Sequence, residues 1–600
     1  MFGPRMTARL QPVRLPERTL PGLLVATARR VPERVFLRLV GPAGAPPPRT
    51  LTFAEFAAGV GRGVVFLRAA GVEAGDRVLL FAANSPEWQM LALAAQCLRA
   101  EPAALFASLA GEQARTIARR VKPRVALVGD AEAWGKLAPA GGELAAAGLA
   151  AVVAAEPLHR ASLPDGVAAA TFAEACGEGA PGLPFAELAA LAAAVGEEDP
   201  FLLLFTSGTT GRPKGVRVPQ RAAVRVIDAA QGAVGLTEKD VGLHFLPYGH
   251  VAGHAQFVMG IGQGQELLMV TRREDIEPGF ALGPTYLFSV PAVYERIRAA
   301  VEQRLAAMPA PLGAALRGAL AAAERRRLRG SRSIRDRLGT ALADRALGRA
   351  VRAKLGGRIR ALYAGGAPVP PPLFRFFESL GIPMVEIYGM SETAGMISCN
   401  FVDGPRREGC AGLVTADHEV RFAADGELLL RGPLLLSGFL EPEDGRGAWT
   451  EDGFFRTGDL GRMDEQGWLW IEGRSKNMLA LSNGKKLSPE PVEQAIAACD
   501  PFRAAVLFGE GRPFVAAAVF VDRAELERLA AAGLDAEREL LARVRAALGA
   551  FSEHEQPKRL ALLAGEPADY PDLLTPTLKI RRDALLALLG PAADGLFAKR

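Results

Sequence analysis

Six hundred residues exceed what one hydrophobic core supports, so two or more domains are expected. The net charge of +5 is small for this length and the arginines are spread along the chain, which gives nucleic-acid binding little support. The five cysteines form no Cys-x-x-Cys or Cys/His cluster, so neither a zinc site nor a disulfide framework is indicated, and reduced thiols in a cytoplasmic protein are the simple reading.

The N-terminus, MFGPRMTARLQPVRLPERTLPG, is basic and proline-broken and lacks the apolar core of a signal peptide. No apolar stretch reaches the roughly 18–20 residues of a membrane span. Any membrane association is expected to be peripheral, on the inner membrane face. From Leu51 the pattern alternates helix and strand. Thr52 to Glu55 forms a capping box that starts a helix. Arg77 to Phe81 reads as a buried strand, Ser85-Pro86-Glu87-Trp88 opens another helix, and Arg124 to Val128 is a further strand. This rhythm predicts a parallel α/β sheet. Residues 139–198 are Ala-rich, with strands near Ala151 and Val167, and read as an edge of the first domain.

Phe201 to Phe205 is a short apolar run that reads as a buried strand. It breaks into Thr206-Ser207-Gly208-Thr209-Thr210-Gly211-Arg212-Pro213-Lys214-Gly215. Such a loop can bring backbone N–H groups, hydroxyls and one ammonium to a polyphosphate, because glycines remove the side chains that would block approach. It is not a Walker loop, since Gly208 does not lead to Gly-Lys-Ser/Thr. A generic Gly/Ser/Thr loop is otherwise a surface turn. This string resembles the phosphate-binding loop of the adenylate-forming (AMP-binding) enzymes, which include acyl-CoA synthetases, luciferases and the adenylation domains of peptide synthetases.

Further along, His244-Phe245-Leu246-Pro247-Tyr248-Gly249-His250 ends a strand in a turn. A lone buried histidine is usually a core residue. The placement of His250 resembles the family segment that borders the acyl pocket, which makes it a substrate-pocket candidate, and His254 is a second one. Pro284 to Ile297 is similar to a segment of the long-chain acyl-CoA synthetases, with Ala292 where arginine is common. Residues 299–355 read as an Ala/Arg-rich helical insert. Its 325–337 region is either a solvated face or a contact for anionic lipid.

Arg360 to Pro368 reads as a strand ending in Gly365-Gly366-Ala367, where a flat ring can lie against bare backbone. The family counterpart is a wall of the adenine pocket. Tyr388-Gly389-Met390-Ser391-Glu392-Thr393 resembles the family's YGxTE motif. The resemblance implies that Tyr388 and Gly389 meet adenine, that Glu392 is a carboxylate for magnesium, and that Thr393 meets the α-phosphate. Glu408 to Gly412 departs from the family pattern: a cysteine stands at 410 and the usual proline after Gly412 is missing. Glu419 to Phe422 and Glu427 to Arg431 read as paired strands of a small β subdomain.

Asp459, in Thr457-Gly458-Asp459, matches the carboxylate that accepts hydrogen bonds from a ribose diol. Gly473-Arg474-Ser475-Lys476-Asn477 resembles the family's interdomain junction. By that resemblance Arg474 holds nucleotide, Lys476 is the hinge, and Asn477 replaces the usual acid. The loop around Gly484 matches the one lining the CoA tunnel. Lys579, in Leu574-Thr575-Pro576-Thr577-Leu578-Lys579, matches the catalytic lysine.

The resemblance therefore implies an α/β fold. Residues 1–475 form a large N-terminal domain of parallel α/β sheets plus a small β subdomain, followed by a small mobile α+β C-terminal domain over 476–600. It implies an ATP- and Mg2+-dependent ligase that activates a fatty acid as acyl-AMP, with Lys579, Thr393 and Glu392 as catalytic residues, and passes it to CoA. The alternatives are a fatty-acyl-AMP ligase serving a carrier protein and a non-catalytic acyl- or nucleotide-binding relative.

Overall fold

The computed structural model describes residues 15, 17–42, 44, 48–206, 213–549, 551–570, 572–575 and 579–598. Two large sheets organise the first three-quarters of the chain. In the larger, of thirteen strands, six run parallel in the order Val35–Val40, Glu266–Val270, Val241–His244, Tyr286–Ser289, Ala361–Gly365 and Met384–Tyr388. The order along the sheet differs from the order along the chain, as crossover connections require. The expected small β region is the antiparallel continuation of this sheet: Ser398–Cys399, Gly412–Val414, Trp468–Arg474, Phe455–Met463, Glu427–Arg431 and Glu419–Phe422.

The second sheet has eight strands. Its parallel part runs from Pro200–Thr206 through Glu101–Ala104, Arg77–Phe81 and Val125–Val128 to Ala151–Ala154 and Ala168–Thr171 at the edge. The Ala-rich stretch thus forms a sheet edge, as its composition suggests. These strands are apolar on both faces because both faces are covered. Val78 and Leu80 pack into a core that also takes Leu267 and Met269 of the other sheet, while Leu79 and Phe81 enter a separate outer core. Helices Phe53–Ala69, Pro86–Cys97, Gln220–Val234 and Val251–Gln263 supply that shared core. Thr52 caps the first of them: its hydroxyl accepts from the Glu55 N–H at 3.2 Å and Glu55 Oε2 accepts from the Thr52 N–H at 2.7 Å.

On the far face of the larger sheet, Leu268, Leu287 and Leu362 meet helix Pro371–Ser379 and the insert. The insert is built from helices Pro291–Ala306, Ala310–Leu328, Ile334–Ala343 and Arg349–Lys354. Beyond residue 476 lies a smaller unit. Its three-stranded sheet, Phe502–Phe508, Ala516–Val521 and Arg559–Ala564, packs on helices Pro489–Ala497 and Ala536–Ala547 with a core of its own that includes Leu507, Val519, Leu540 and Val544. Among the described residues no helix is long and apolar enough to cross a membrane.

The irregular 408–412 segment has a packing explanation. Cys410 is buried and its thiol lies 3.2 Å from the Leu469 carbonyl, so it serves as a core side chain between strands. Gly412 adopts φ +96° and a Cβ there would stand 2.1 Å from the Cys399 carbonyl carbon, so glycine is the residue the position accepts.

Candidate active site

Strand Pro200–Thr206 and its antiparallel partner Lys214–Pro219 bracket the loop expected to bind phosphate, with Thr206 paired to Lys214. Ser207, Gly208, Thr209, Thr210 and Gly211 lie outside the described residues. The loop's exit is anchored from a distance. Arg120 donates to the Pro213 carbonyl at 2.5 Å and pairs with Glu441 and Asp444, while the Lys214 ammonium donates to the Asp444 carbonyl at 2.9 Å. Sequence reasoning missed Arg120, Glu441 and Asp444, because they are brought together only by the tertiary fold.

Met384–Tyr388 runs parallel to Ala361–Gly365, so the Gly-Gly turn and the Tyr-Gly turn leave the sheet side by side, Gly365 opposite Ile387. Gly366 takes φ +80° and, like Ala367, is exposed. Gly389 has no room for a side chain: a Cβ would stand 2.3 Å from the Gly395 carbonyl oxygen. The Ser391–Thr393 turn is closed by Thr393, whose hydroxyl accepts from the Met390 N–H at 3.1 Å and donates to the Met390 carbonyl at 3.0 Å. Thr393 is fully buried and its hydroxyl is committed to this turn.

Asp459 and Arg474 are register partners on neighbouring strands, and Arg474 Nε lies 2.7 Å from Asp459 Oδ1. The Tyr388 hydroxyl donates to Asp459 Oδ2 at 2.6 Å. Burial first, and then the charge of Asp459, keep the Tyr388 phenol protonated far above its ordinary range, so it remains a donor. Glu392 sits in the same field. Burial pushes its carboxyl up and Asp459 adds to this, while a backbone N–H, Arg474 and Lys214 pull it down. Among the described residues Glu392 has no ion-pair partner, and no group of three or more His, Cys, Asp or Glu side chains could hold a metal.

The smaller unit brings two lysines to this cluster. Lys579 lies inside the bridge between Leu574 and Ile580, immediately before Ile580. Its N–H donates to the Thr575 hydroxyl at 3.0 Å, and the Thr575 N–H donates to the Lys579 carbonyl at 2.8 Å. Its ammonium is held below the ordinary lysine value by its crowded surroundings first, then by Arg474 and Lys476, with Asp459 opposing them. The charge of Lys579 also reaches His250. The His250 ring accepts from the Ala252 N–H at 3.2 Å and so caps helix Val251–Gln263. Burial and then the Lys579 charge lower it to about 4, so the ring is neutral near pH 7. The turn before it is fixed by Asn84, which donates to the Leu246 carbonyl at 2.8 Å and accepts from the Tyr248 N–H at 3.0 Å. His254 is elsewhere: it is buried among Trp88, Tyr248 and Phe201 and bonds the Tyr248 carbonyl at 2.6 Å.

Lys476 lies in the turn Ser475–Asn477, with its ammonium depressed by burial and then by Arg474, while Asp459 and Glu392 oppose the shift. The neutral Asn477 has a local reason. Its amide donates to Glu490, a bond that a second carboxylate could not make. Gly473, at φ +145°, gives Ser488 and Glu490 room to close on the junction. Gly484 is not drawn into the cluster. It stands on an exposed turn with open space around it.

An apolar cavity starts beside the Tyr-Gly turn, at Ile387, Gly395 and Met396. It runs between the helices and the sheet, past Val226, Met259 and Phe288.

Two stacked α/β sheets, a Tyr-Gly turn beside an aspartate–arginine pair, and a separate α+β unit presenting a lysine define an adenylate-forming enzyme. Residues 24–440 match the AMP-binding enzyme family and residues 476–587 the AMP-binding enzyme C-terminal domain, and the chain belongs to this family. It is 29% identical over 567 residues to the long-chain-fatty-acid–CoA ligase FadD15 of Mycobacterium tuberculosis, covering 92% of each chain. It is 31% identical over 428 residues to the putative fatty-acid–CoA ligase fadD11 of the same species, covering 68% of this chain and 75% of that one. Its fold is similar to that of the adenylation domain of a carboxylate reductase from Mycobacterium chelonae, with TM-score 0.74 at 19% identity, covering 98% of this chain and 94% of that one. Activation of an acid at the expense of ATP, through an acyl-adenylate, is the chemistry of the family.

Proposed function

We propose that the chain is a fatty acid:CoA ligase acting on long acyl chains. The observation that carries this reading is the apolar lining behind Gly395 and Met396, which suits an aliphatic group with its carboxylate left at the Tyr-Gly turn. The relatedness to fatty-acid–CoA ligases supports it.

In the first half-reaction a carboxylate oxygen attacks the α-phosphorus and the bond to the bridging oxygen of the β-phosphate breaks, releasing pyrophosphate. Two anions must meet, and Lys579 offsets their repulsion from beside Arg474 and His250. Thr206 to Gly215 and Lys214 hold the departing phosphates. Asp459 accepts the ribose hydroxyls, and the wall from Gly365 to Ala367, with Tyr388 and Gly389, takes the adenine. His250 borders the acyl entrance. A metal ion at this site would have a single protein ligand, Glu392, whose buried carboxylate fits a magnesium ion otherwise coordinated by phosphate and water oxygens. Magnesium so held would offset the charge of the leaving group. Thr393 acts through its turn, which fixes where Glu392 stands.

In the second half-reaction the CoA sulfur attacks the acyl carbonyl carbon, the bond to AMP breaks, and the thiol proton leaves to solvent. Lys579 must withdraw to admit CoA. We assign the boundary to Lys476, with residues 1–475 and 476–600 as two bodies. Rotation there would carry the exposed Gly484 turn toward the site. Release of AMP from ATP and palmitate, with and without CoA, tests the reading. CoA-dependent thioester formation is expected. Acyl-AMP accumulation with CoA present would overturn the CoA step, and no ATP turnover with any fatty acid would overturn the substrate class.

A further inference from the structure

Helix Ile334–Ala343 in the insert is built inside out. Ile334, Leu338 and Leu342 recur at every fourth position and therefore share one face. That face points to water, with the three side chains 72%, 67% and 45% exposed. The inward face carries no large apolar side chain: Asp336, Thr340 and Ala343 lie there. A surface helix of a globular protein shows the opposite arrangement.

The orientation is locked. Asp336 Oδ1 lies 2.6 Å from Arg325 Nη2 and its Oδ2 accepts from the Ser331 hydroxyl at 2.6 Å. The Thr340 hydroxyl donates to the Asp336 carbonyl at 2.6 Å. Gly339 meets helix Ala310–Leu328 so closely that a Cβ would stand 2.4 Å from that of Ala322. Turning the leucines inward would pull Asp336 away from Arg325 and Ser331 and clash at Gly339, so the exposure belongs to the fold.

The surroundings of the stripe are cationic. Residues 325–352 contain ten arginines and two aspartates, a surplus of positive charge larger than the +5 of the whole chain. Arg325, Arg327 and Arg329 are spent in ion pairs with Asp336, Asp344 and Glu324. Arg332, Arg337, Arg345 and Arg349 are exposed and enter no ion pair among the described residues.

We infer that this helix docks on an anionic phospholipid surface, with Ile334, Leu338 and Leu342 inserted among the acyl chains and the surrounding arginines on the headgroups. An apolar ridge ringed by cations is the pattern of an interfacial helix. A second copy of the chain fits poorly, because a two-fold contact would set one arginine cluster against another. A nucleic acid leaves the apolar ridge without a partner. The insert packs through helix Pro371–Ser379 against the sheet that carries Tyr388, so docking would hold the catalytic body at the lipid surface. The inference rests on this helix and not on the proposed substrate.

The test is co-sedimentation of the full-length chain with phosphatidylcholine vesicles and with vesicles containing phosphatidylglycerol. The wild type is expected to bind the anionic vesicles and leave the neutral ones, with binding weakened by salt. Two variants, Ile334→Ser/Leu338→Ser/Leu342→Ser and Arg332→Gln/Arg337→Gln/Arg345→Gln, should each bind at least ~10-fold more weakly. Melting and ATP–pyrophosphate exchange should be unchanged in both, and Leu338→Ser alone provides the mildest version. Failure of the wild type to bind, equal binding to both vesicles, or undiminished binding by the folded variants would overturn the inference. So would a serine variant that changes the mass of the protein in solution but not its vesicle binding, because the ridge would then be a protein contact.

Discussion

The Tyr388 hydroxyl donates to Asp459 Oδ2 at 2.6 Å across 71 residues of sequence. That bond does two things. It fixes the plane of the ring proposed to stack on adenine, and it occupies one oxygen of the carboxylate proposed to hold ribose, leaving Arg474 on the other. Tyr388→Phe keeps the ring and removes the donor. A hydrogen bond to a charged group contributes about 1.5–3 kcal/mol, so the KM for ATP should rise roughly tenfold or more, with a smaller change in kcat. Steady-state kinetics with ATP varied checks this. A lowered kcat at unchanged ATP KM would place Tyr388 in the chemical step instead.

Lys214 couples the phosphate loop to the Asp444 carbonyl at 2.9 Å. Lys214→Ala removes the cation proposed to meet the polyphosphate and a tie from the loop exit. The KM for ATP should rise on the order of tenfold while the ranking of fatty acids by chain length stays the same. A reordered ranking would mean that this lysine acts on the acid.

The fold was legible in the alternation of apolar strands and capped helices, and Tyr388, Asp459 and Arg474, each singled out from short strings at the ends of strands, meet in one hydrogen-bonded cluster. What stayed hidden is nonlocal. Arg120 meets Glu441 across 321 residues, and no local pattern marks either. The outward face of Leu338 and Leu342 is equally nonlocal. Their spacing describes a buried face, and only the lock formed by Asp336, Arg325 and Gly339 shows that they point outward.

The charge of Lys579 is felt together with those of Arg474 and Lys476 and reaches His250, which suits its proposed role in the first half-reaction. Lys579→Ala should cut ATP-dependent adenylation by about 100-fold or more, the scale of losing one charge-stabilising group. Thioester formation from supplied acyl-adenylate and CoA should be spared. Because neighbouring cations and crowding lower this ammonium, the adenylation rate should fall as pH rises, with its alkaline limb below the ordinary lysine range. Equal loss of both half-reactions in the alanine variant would show that Lys579 does not act on adenylation alone.

Lys476→Pro addresses the hinge. Proline fixes φ near −65° and so restricts the rotation proposed at this residue. Adenylation should survive while thioester formation from acyl-adenylate drops by about tenfold or more. Rapid-quench measurement of each half-reaction separates the two, and an undiminished thioester rate would place the pivot elsewhere.

Glu386 provides a pH test of the strand behind the site. It is buried, and burial pushes its carboxyl up to about 8, against a weak pull from the Val369 N–H at 3.3 Å. The folded chain therefore keeps this proton to higher pH than the unfolded chain does. A carboxyl with a raised folded pKa costs stability as pH climbs from the unfolded value toward the folded one. Wild-type unfolding free energy should thus carry a downward contribution between about pH 5 and pH 8, at ~1.4 kcal/mol per pH unit at most. Glu386→Gln retains an acceptor and cannot ionise, so that contribution should vanish and the variant should gain on the wild type as pH rises. Denaturant melts of both proteins at each end of the window decide it. Parallel pH dependence would mean that Glu386 is already ionised in the folded strand.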